Sequence, residues 1–577
     1  MLLRRRATDL LFVAVLIGTT TLHLKLLDHV YIHKWDEQYH LAVAQSLTLD
    51  FFKPRLQLID ASGSKNPGWS DSTIWMHKPI LPSWMSAISV KLGGRQLFFY
   101  RLPSVCFFVL LILTVRALGT RVHSVPLGNL AASLLALNPF LVRLTQGDVF
   151  SDMFDLPLQF FSTASVLALI HAQDSRRPRL FALAGVLCGL GVLSKAFLGL
   201  SPLGVAVLLT GLGRTPVLGS GPRLRDLAIM AGAFVVTILP INLWLLLQFT
   251  DVFLEENVYF LRHLTHGLEV WALPWDYPFN GVWKALFSKP LALLGLCGVG
   301  ALSWRMVRTR NVATLSVGIW CLLTLAVFLV SKTKPPVVFA GCLPTLTIGI
   351  GLIVFSSARF FPLGLGLATS AILLDLGLAR GTLFEVFNFH RYPGLKSLVH
   401  DAARDPTMAL NLSVFAPTFL LLLAVFAVLT LARRRGFLGA FTQGPALATG
   451  CAVCVGLAVV GVTAHAFEAQ RVAIAGKKDP EHLRMKQVAA QIRPLLTPEM
   501  GLFVEHEGLP VRLAIHLDNP VVGTPRQPSP ELVRKMIAFG FRPLYLTSQE
   551  LPYTDLRPPG STLELHLYDL QAARPLP

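Results

Sequence analysis

For most of its length the chain alternates long apolar runs with shorter polar connections, and after residue 467 the apolar runs shorten and charge rises. A helix crossing the hydrocarbon core needs about 20 mainly apolar residues, because its backbone groups must be satisfied internally there. About thirteen runs meet that condition. They cover residues 8–27, 98–118, 125–144, 156–173, 180–196, 198–213, 227–249, 289–307, 312–330, 337–357, 360–380, 411–432 and 446–467. The pattern predicts a polytopic α-helical membrane protein over residues 1–467 and a soluble C-terminal α/β domain over residues 468–577.

In that tail the periodicity predicts helices near His482–Leu495 and Pro530–Phe539, with strands near Gly501–Glu505, Pro543–Thr547 and Leu563–Leu567. Among the connections, 28–97, 250–288 and 381–410 are long, while 145–155, the turn at Lys195–Gly199 and 331–336 are short. Long connections are where function concentrates in compact folds.

Composition excludes a soluble multidomain chain. Of 577 residues, 53% are hydrophobic and 15% charged, and the mean hydropathy is +0.57. The net charge of +18 does not point to nucleic acid, because the arginines fall in short clusters on alternate connections, such as Arg4-Arg5-Arg6, Arg176-Arg177 and Arg433-Arg434-Arg435. By the positive-inside rule those connections are cytoplasmic. The N-terminus is then expected inside and, with an odd number of spans, the C-terminal domain outside, in an extracytoplasmic or periplasmic position at a bacterial-type inner membrane. The first run ends in Leu22-His23-Leu24-Lys25 without a small-residue cleavage site, so it reads as a retained anchor. All seven cysteines fall in apolar runs, and the Cys451/Cys454 pair reads as packing.

The chemistry gathers on the outward connections. Trp35-Asp36-Glu37-Gln38-Tyr39-His40 sets an acidic pair among aromatics just after the first run. On a short interfacial helix over 35–48, Asp36, Glu37 and His40 share a sector of about 100°, and Trp35 and Tyr39 suit the headgroup level. The competing reading is an amphipathic helix with solvated acids. Later in the same connection, His77-Lys78-Pro79 supplies a cation for an anionic ligand; the competing role is a lysine that snorkels to the interface. Asp148, Asp152 and Asp155 cluster at the mouth of the fourth run, where carboxylates are costly unless functional or capping a helix. Lys195, Lys332 and Lys334 sit at the outer boundary, against the positive-inside trend. Trp275 and Tyr277 could stack on a sugar face or line a lipid groove. His263, His266 and Glu269 have ligand-like helical spacing, but a set this small arises readily by chance, and no metal site is assigned.

Taken in order, these segments resemble the GT-C superfamily of integral-membrane glycosyltransferases, in the branch of protein O-mannosyltransferases and the lipid A aminoarabinose transferase. The resemblance covers most of residues 10–360 and rests on Asp36-Glu37, His77-Lys78-Pro79-Ile80-Leu81, Arg101-Leu102-Pro103-Ser104, Asn138-Pro139, Leu156-Pro157-Leu158, Gly189 through Lys195, and Lys334. It implies a GT-C fold, with Asp36 as the catalytic carboxylate, Glu37 as its neighbour and Asp155 as a second acid. Lys78 would bind the carrier phosphate, with His77, Arg101, Lys195 and Lys334 as further substrate contacts and Asp152 as the alternative to Asp155; Trp275 and Tyr39 are added as substrate-binding candidates from their own placement, apart from the resemblance. The chain departs from the pattern at Lys78-Pro79-Ile80, where many relatives have Lys-Pro-Pro, and its tail matches no known motif. Trp275-Asp276-Tyr277 superficially resembles an oligosaccharyltransferase signature but lies mid-chain.

The implied reaction moves a sugar from a polyprenyl-phosphate donor to a lipid, glycan or protein acceptor at the outer face, with inversion. The implied partners are that donor, membrane lipids and the acceptor, with no nucleic acid; no cofactor is firmly implied, and a divalent cation stays open. A lipid-linked sugar flippase or transporter is the rival from another class, disfavoured because few ionisable residues fall inside the spans. A polysaccharide polymerase or ligase shares the substrate class.

Overall fold

In the computed structural model the described residues are 2–27, 32, 36–56, 73–147, 152–212, 221–266, 289–309, 311–333, 341–355, 480–505, 513, 517, 521–524, 527–549, 551, 555–557 and 565–571. The expected spans at 360–380, 411–432 and 446–467, the connection 381–410, the Cys451/Cys454 pair and the domain boundary at 467 lie outside them. The chain divides into two compact units. Unit 1 takes Met1–Leu27, Ser104–Trp244 and Asn257–Ala473, and unit 2 takes Asp28–Pro103, Leu245–Glu256 and Ile474–Pro577.

The helices in chain order are α1 Leu2–Leu26, α2 Asp36–Leu49, α3 Leu81–Gly93, α4 Leu97–Val122, α5 Val125–Ala136, α6 Pro139–Thr145, α7 Asp152–Ser175, α8 Pro178–Lys195, α9 Ser201–Leu212, α10 Leu224–Gln248, α11 Thr250–Thr265, α12 Lys289–Thr309, α13 Val312–Val330, α14 Leu343–Phe355, α15 Pro480–Ile492 and α16 Pro530–Ala538. Among the described residues, six helical stretches are long and apolar enough to cross a membrane: Thr8–Leu26, Leu97–Val122, Met153–Ser175, Pro178–Leu212, Leu224–Gln248 and Val312–Val330.

In the apolar part of the chain two expected elements differ. The run 125–144 is broken into α5 and α6 at Asn138-Pro139. Proline cannot donate the next helical hydrogen bond, and the Asn138 side chain caps the new helix by accepting from the Phe140 N–H at 2.8 Å. The connection expected from residue 250 begins instead with sixteen residues of helix, α11. No glycine or proline interrupts Thr250–His266, so nothing in the sequence stops the helix before Gly267.

Unit 1 packs α7 against α8, α5 against α1 and α14, and α9 against α13. Close approach between α12 and α14 depends on a glycine pair, since a Cβ on Gly298 would meet the Gly349 carbonyl carbon at 2.7 Å. The start of α13 is capped by Asn311, whose side-chain oxygen accepts from the Ala313 and Thr314 N–H groups.

In unit 2, α2 packs on α3 around Ile32, Leu41, Ala44, Val90 and Tyr100. The tail folds as a four-stranded sheet ordered β2-β1-β3-β4, from β1 Met500–Glu505, β2 Val521–Thr524, β3 Arg542–Thr547 and β4 His566–Asp569. β1 is parallel to β2 and β3, and β4 is antiparallel to β3. Helix α15 accompanies a core of Met485, Ile492, Leu502, Val504 and Leu544 on one face, while Met536 of α16 joins Phe503, Tyr545 and Tyr568 on the other. A sheet covered on both faces explains why β1 and β3 read as continuous apolar runs. The final strand is 566–569 rather than 563–567, where pairing with 544–547 fixes its register, and β2 is an additional strand too short to carry a periodicity signal. The tail also joins the connection between α1 and α4 within this unit: Gln45 Nε2 and Arg95 Nη1 both donate to the Leu517 carbonyl, at 2.7 and 2.9 Å.

Candidate active site

Unit 2 builds its site on α2 and on the segment 73–80. Asp36 and Glu37 occupy the first turn of α2, where the helix N-terminus favours acids. The helix is not laid out with solvated acids, because Glu37, Gln38, Tyr39 and His40 are all buried and Asp36 is half-buried. The segment 73–80 is held by backbone bonds from Trp75 N to Pro54 O at 2.8 Å and from Leu56 N to Thr73 O at 3.1 Å. Trp75 then packs edge-on against both His40 and His77.

Three relationships define the chemistry there. Glu37 Oε1 accepts from Arg101 Nε at 2.7 Å, with side-chain exposures of 0% and 2%. His77 Nδ1 lies 3.1 Å from Glu256 Oε2, on the first half of α11. The ring sits in electrostatic reach of both Asp36 and Lys78. Burial pushes the His77 imidazole below its ordinary range and Lys78 adds to this, while the hydrogen bond and charge of Glu256 and the charge of Asp36 oppose it. A neutral ring that donates from Nδ1 to Glu256 satisfies that balance. Lys78 is half-buried and, among the described residues, enters no ion pair.

Unit 1 holds a second polar group. Asp155, in the first turns of α7, accepts from Lys195 Nζ, the last residue of α8, at 2.5 Å, and the side chains are 3% and 8% exposed. Lys195 is aimed by an abrupt stop: Ala196 adopts φ 48°, a conformation that L-residues avoid. The following turn brings Gly199 back against α8, where a Cβ would meet the Val192 nitrogen at 2.3 Å. Segment 331–333 docks on the end of α11, with Thr333 N donating to His263 O at 3.1 Å and Thr333 Oγ1 to His266 O at 3.0 Å.

Of the residues predicted from sequence, the structure therefore gathers Asp36, Glu37, Tyr39, His77, Lys78 and Arg101 in unit 2, and Asp155 and Lys195 in unit 1. Glu37 and Arg101 neutralise each other, as do Asp155 and Lys195. Asp152 begins α7. Lys334, Trp275, Asp148 and Glu269 lie outside the described residues. Glu256 was not singled out by sequence; the signal available was the acidic pair Glu255-Glu256 a few residues after the seventh apolar run. Among the described residues no group of three His, Cys, Asp or Glu side chains could hold a metal ion.

A family model for dolichyl-phosphate-mannose-protein mannosyltransferases matches residues 77–244. The undecaprenyl phosphate-α-4-amino-4-deoxy-L-arabinose arabinosyl transferase of Pseudomonas aeruginosa PAO1 is 30% identical over 320 residues, 53% of this chain and 54% of the relative. That of Pseudomonas fluorescens Pf-5 is 30% identical over 48% of this chain and 49% of its own length. The chain thus spans about half the length of the curated relatives it matches. Among solved structures, ArnT from Cupriavidus metallidurans bound to undecaprenyl phosphate aligns over 93% of this chain and 92% of its own, at 18% identity and a TM-score of 0.62. The oligosaccharyltransferase of Archaeoglobus fulgidus aligns over 93% of this chain and 69% of its own, at 12% identity and a TM-score of 0.50. The chain accordingly has the GT-C fold of the integral-membrane glycosyltransferases, and over about half its length its sequence is aminoarabinose transferase-like.

Proposed function

We propose that this protein transfers a sugar from a polyprenyl-phosphate donor to an acceptor at the outer face of the membrane, with inversion at the anomeric carbon. The observation that carries this reading is the convergence on His77 of one half-buried acid, Asp36, and one cation without an ion-pair partner among the described residues, Lys78. The relatives' named donor, a 4-amino-4-deoxy-L-arabinose on undecaprenyl phosphate, supports the same donor class here.

In the reaction the bond from the anomeric carbon to the carrier phosphate oxygen breaks, and its electron pair leaves with the phosphate. Lys78 offsets the charge that develops there. An acceptor hydroxyl attacks from the opposite face and gives its proton to the Asp36 carboxylate. One in-line displacement inverts the centre. For a phosphate acceptor no proton need leave, and Asp36 only positions it. Glu37 takes a different role: paired with Arg101, it fixes the first turn of α2 and so aims Asp36. Asp155 and Lys195 form a separate buried polar pair within unit 1.

The arginine clusters put the N-terminus in the cytoplasm and the C-terminal domain outside, which sets both acids at the outer boundary. The test is release of sugar from aminoarabinosyl- and mannosyl-polyprenyl phosphate in detergent, wild type against Asp36→Asn. Turnover is expected to fall by about 10²-fold or more. Unchanged turnover removes Asp36 from catalysis, and absence of release by the wild type with either donor favours a carrier or flippase.

A further inference from the structure

Below Asp155 on α7 lie two buried polar side chains that the chemistry above does not use. Gln159 is 2% exposed and Ser162 is 4% exposed. Neither amide atom of Gln159 nor the hydroxyl of Ser162 has a hydrogen-bond partner among the described residues. Their neighbours on the same helix are satisfied: Thr163 Oγ1 donates to Gln159 O at 2.6 Å, and Ser165 Oγ donates across to Ala184 O of α8 at 2.7 Å.

Residues 155, 159 and 162 follow the i, i+4, i+7 spacing, so they project within a sector of about 60° over about 10 Å of helix. The strip ends at Val166, which is fully buried. On the facing helix Gly191 stands where a Cβ would lie 3.6 Å from Ser162 Oγ, so no side chain from that position covers the hydroxyl. A carboxamide and a hydroxyl retained within an apolar span, where an aliphatic residue would pack without penalty, mark a place that receives a polar group.

The charge on the strip narrows the ligand. Asp155 and Lys195 are 2.5 Å apart and cancel, which leaves a neutral amide and a neutral hydroxyl, each able to donate and accept. An anionic phosphate finds no uncompensated cation there, and an acyl chain satisfies nothing. We infer that Gln159 and Ser162 form a subsite for the hydroxyl groups of the donor sugar, beside the Asp155–Lys195 pair. This rests on the donor reading above and extends it to the residues that distinguish a sugar-charged carrier from a bare one.

The test compares binding of bare polyprenyl phosphate, aminoarabinosyl-polyprenyl phosphate and mannosyl-polyprenyl phosphate to the full chain in nanodiscs. Wild type is expected to hold one charged carrier more tightly than the bare one. Gln159→Met, which keeps the side-chain length, should weaken that carrier by about tenfold or more and leave bare-carrier affinity unchanged. Its thermal midpoint should stay level or rise, as expected when an unpaired buried polar group is replaced by an apolar one. Ser162→Ala should act in the same direction and serves as the second variant. The subsite is overturned if both variants keep the preference for the charged carrier, or if wild type shows none, which would leave the strip to internal water. Failure of wild type to bind any of the three carriers would overturn the donor reading itself.

Discussion

Arg101 Nε meets Glu37 Oε1 at 2.7 Å with both side chains out of water, 64 residues apart in sequence. Two adjacent acids that look equivalent on paper are thereby separated in role. Glu37 is neutralised in the interior, and Asp36 stays partly exposed and within electrostatic reach of the His77 ring.

Removing one partner of such a pair strands a buried charge. Glu37→Met or Arg101→Met alone should destabilise the protein by about 3–5 kcal/mol, whereas the double apolar variant should recover most of the loss. Thermal unfolding in detergent, followed by tryptophan fluorescence, checks this. A single variant as stable as wild type would show that the pair does not hold α2.

Lys78 differs in kind, since no carboxylate in the described residues neutralises it. Lys78→Met should reduce turnover by about 10²-fold by leaving the departing phosphate uncompensated, and Lys78→Arg should restore part of it. Thermal stability should be nearly unaffected in both. Full activity in Lys78→Met would assign the lysine to the membrane interface alone.

The Asp155–Lys195 pair is open to a double-variant cycle. Asp155→Asn and Lys195→Met should couple by about 1–3 kcal/mol in stability, and the double variant Asp155→Leu with Lys195→Met should regain the wild-type thermal midpoint while turnover stays low. Recovery of both quantities would make the pair a structural brace.

His77 gives the protein a pH dependence with a defined sign. Its folded-state imidazole titrates below the unfolded value, mainly through burial and then Lys78. The unfolded chain therefore binds the extra proton first as pH falls. Stability supplied by the neutral ring is complete above about pH 6.5 and is lost as pH drops from there through the folded value. Thermal midpoints measured from pH 7.5 downward should decline across that window, and His77→Gln should flatten the decline. An equal slope in the variant would place the titrating group elsewhere.

The helix over Asp36–Leu49 was legible because its boundaries are set locally, by acids in the first turn and a break before Phe51. The same periodicity was misleading about its surroundings: an amphipathic interfacial helix and a helix enclosed by α3 and Trp75 share one pattern, and the second occurs here because the chain returns over it. Gln159 shows the converse. In sequence it is one polar residue in an apolar run, and its significance depends on burial and on the absence of a partner within the described residues.

The long apolar helices among the described residues and the α/β character of the tail follow from the sequence alone, because hydrocarbon thickness and helix and strand periods act on neighbouring residues. The tertiary structure decided which charge meets which. Glu37 takes Arg101 across 64 residues, Asp155 takes Lys195 across 40, and His77 takes Glu256 across 179. Such pairings depend on how helices pack, and no local period encodes them; burial then turns those proximities into fixed pairs, because a charge withdrawn from water must find its counterpart within the fold.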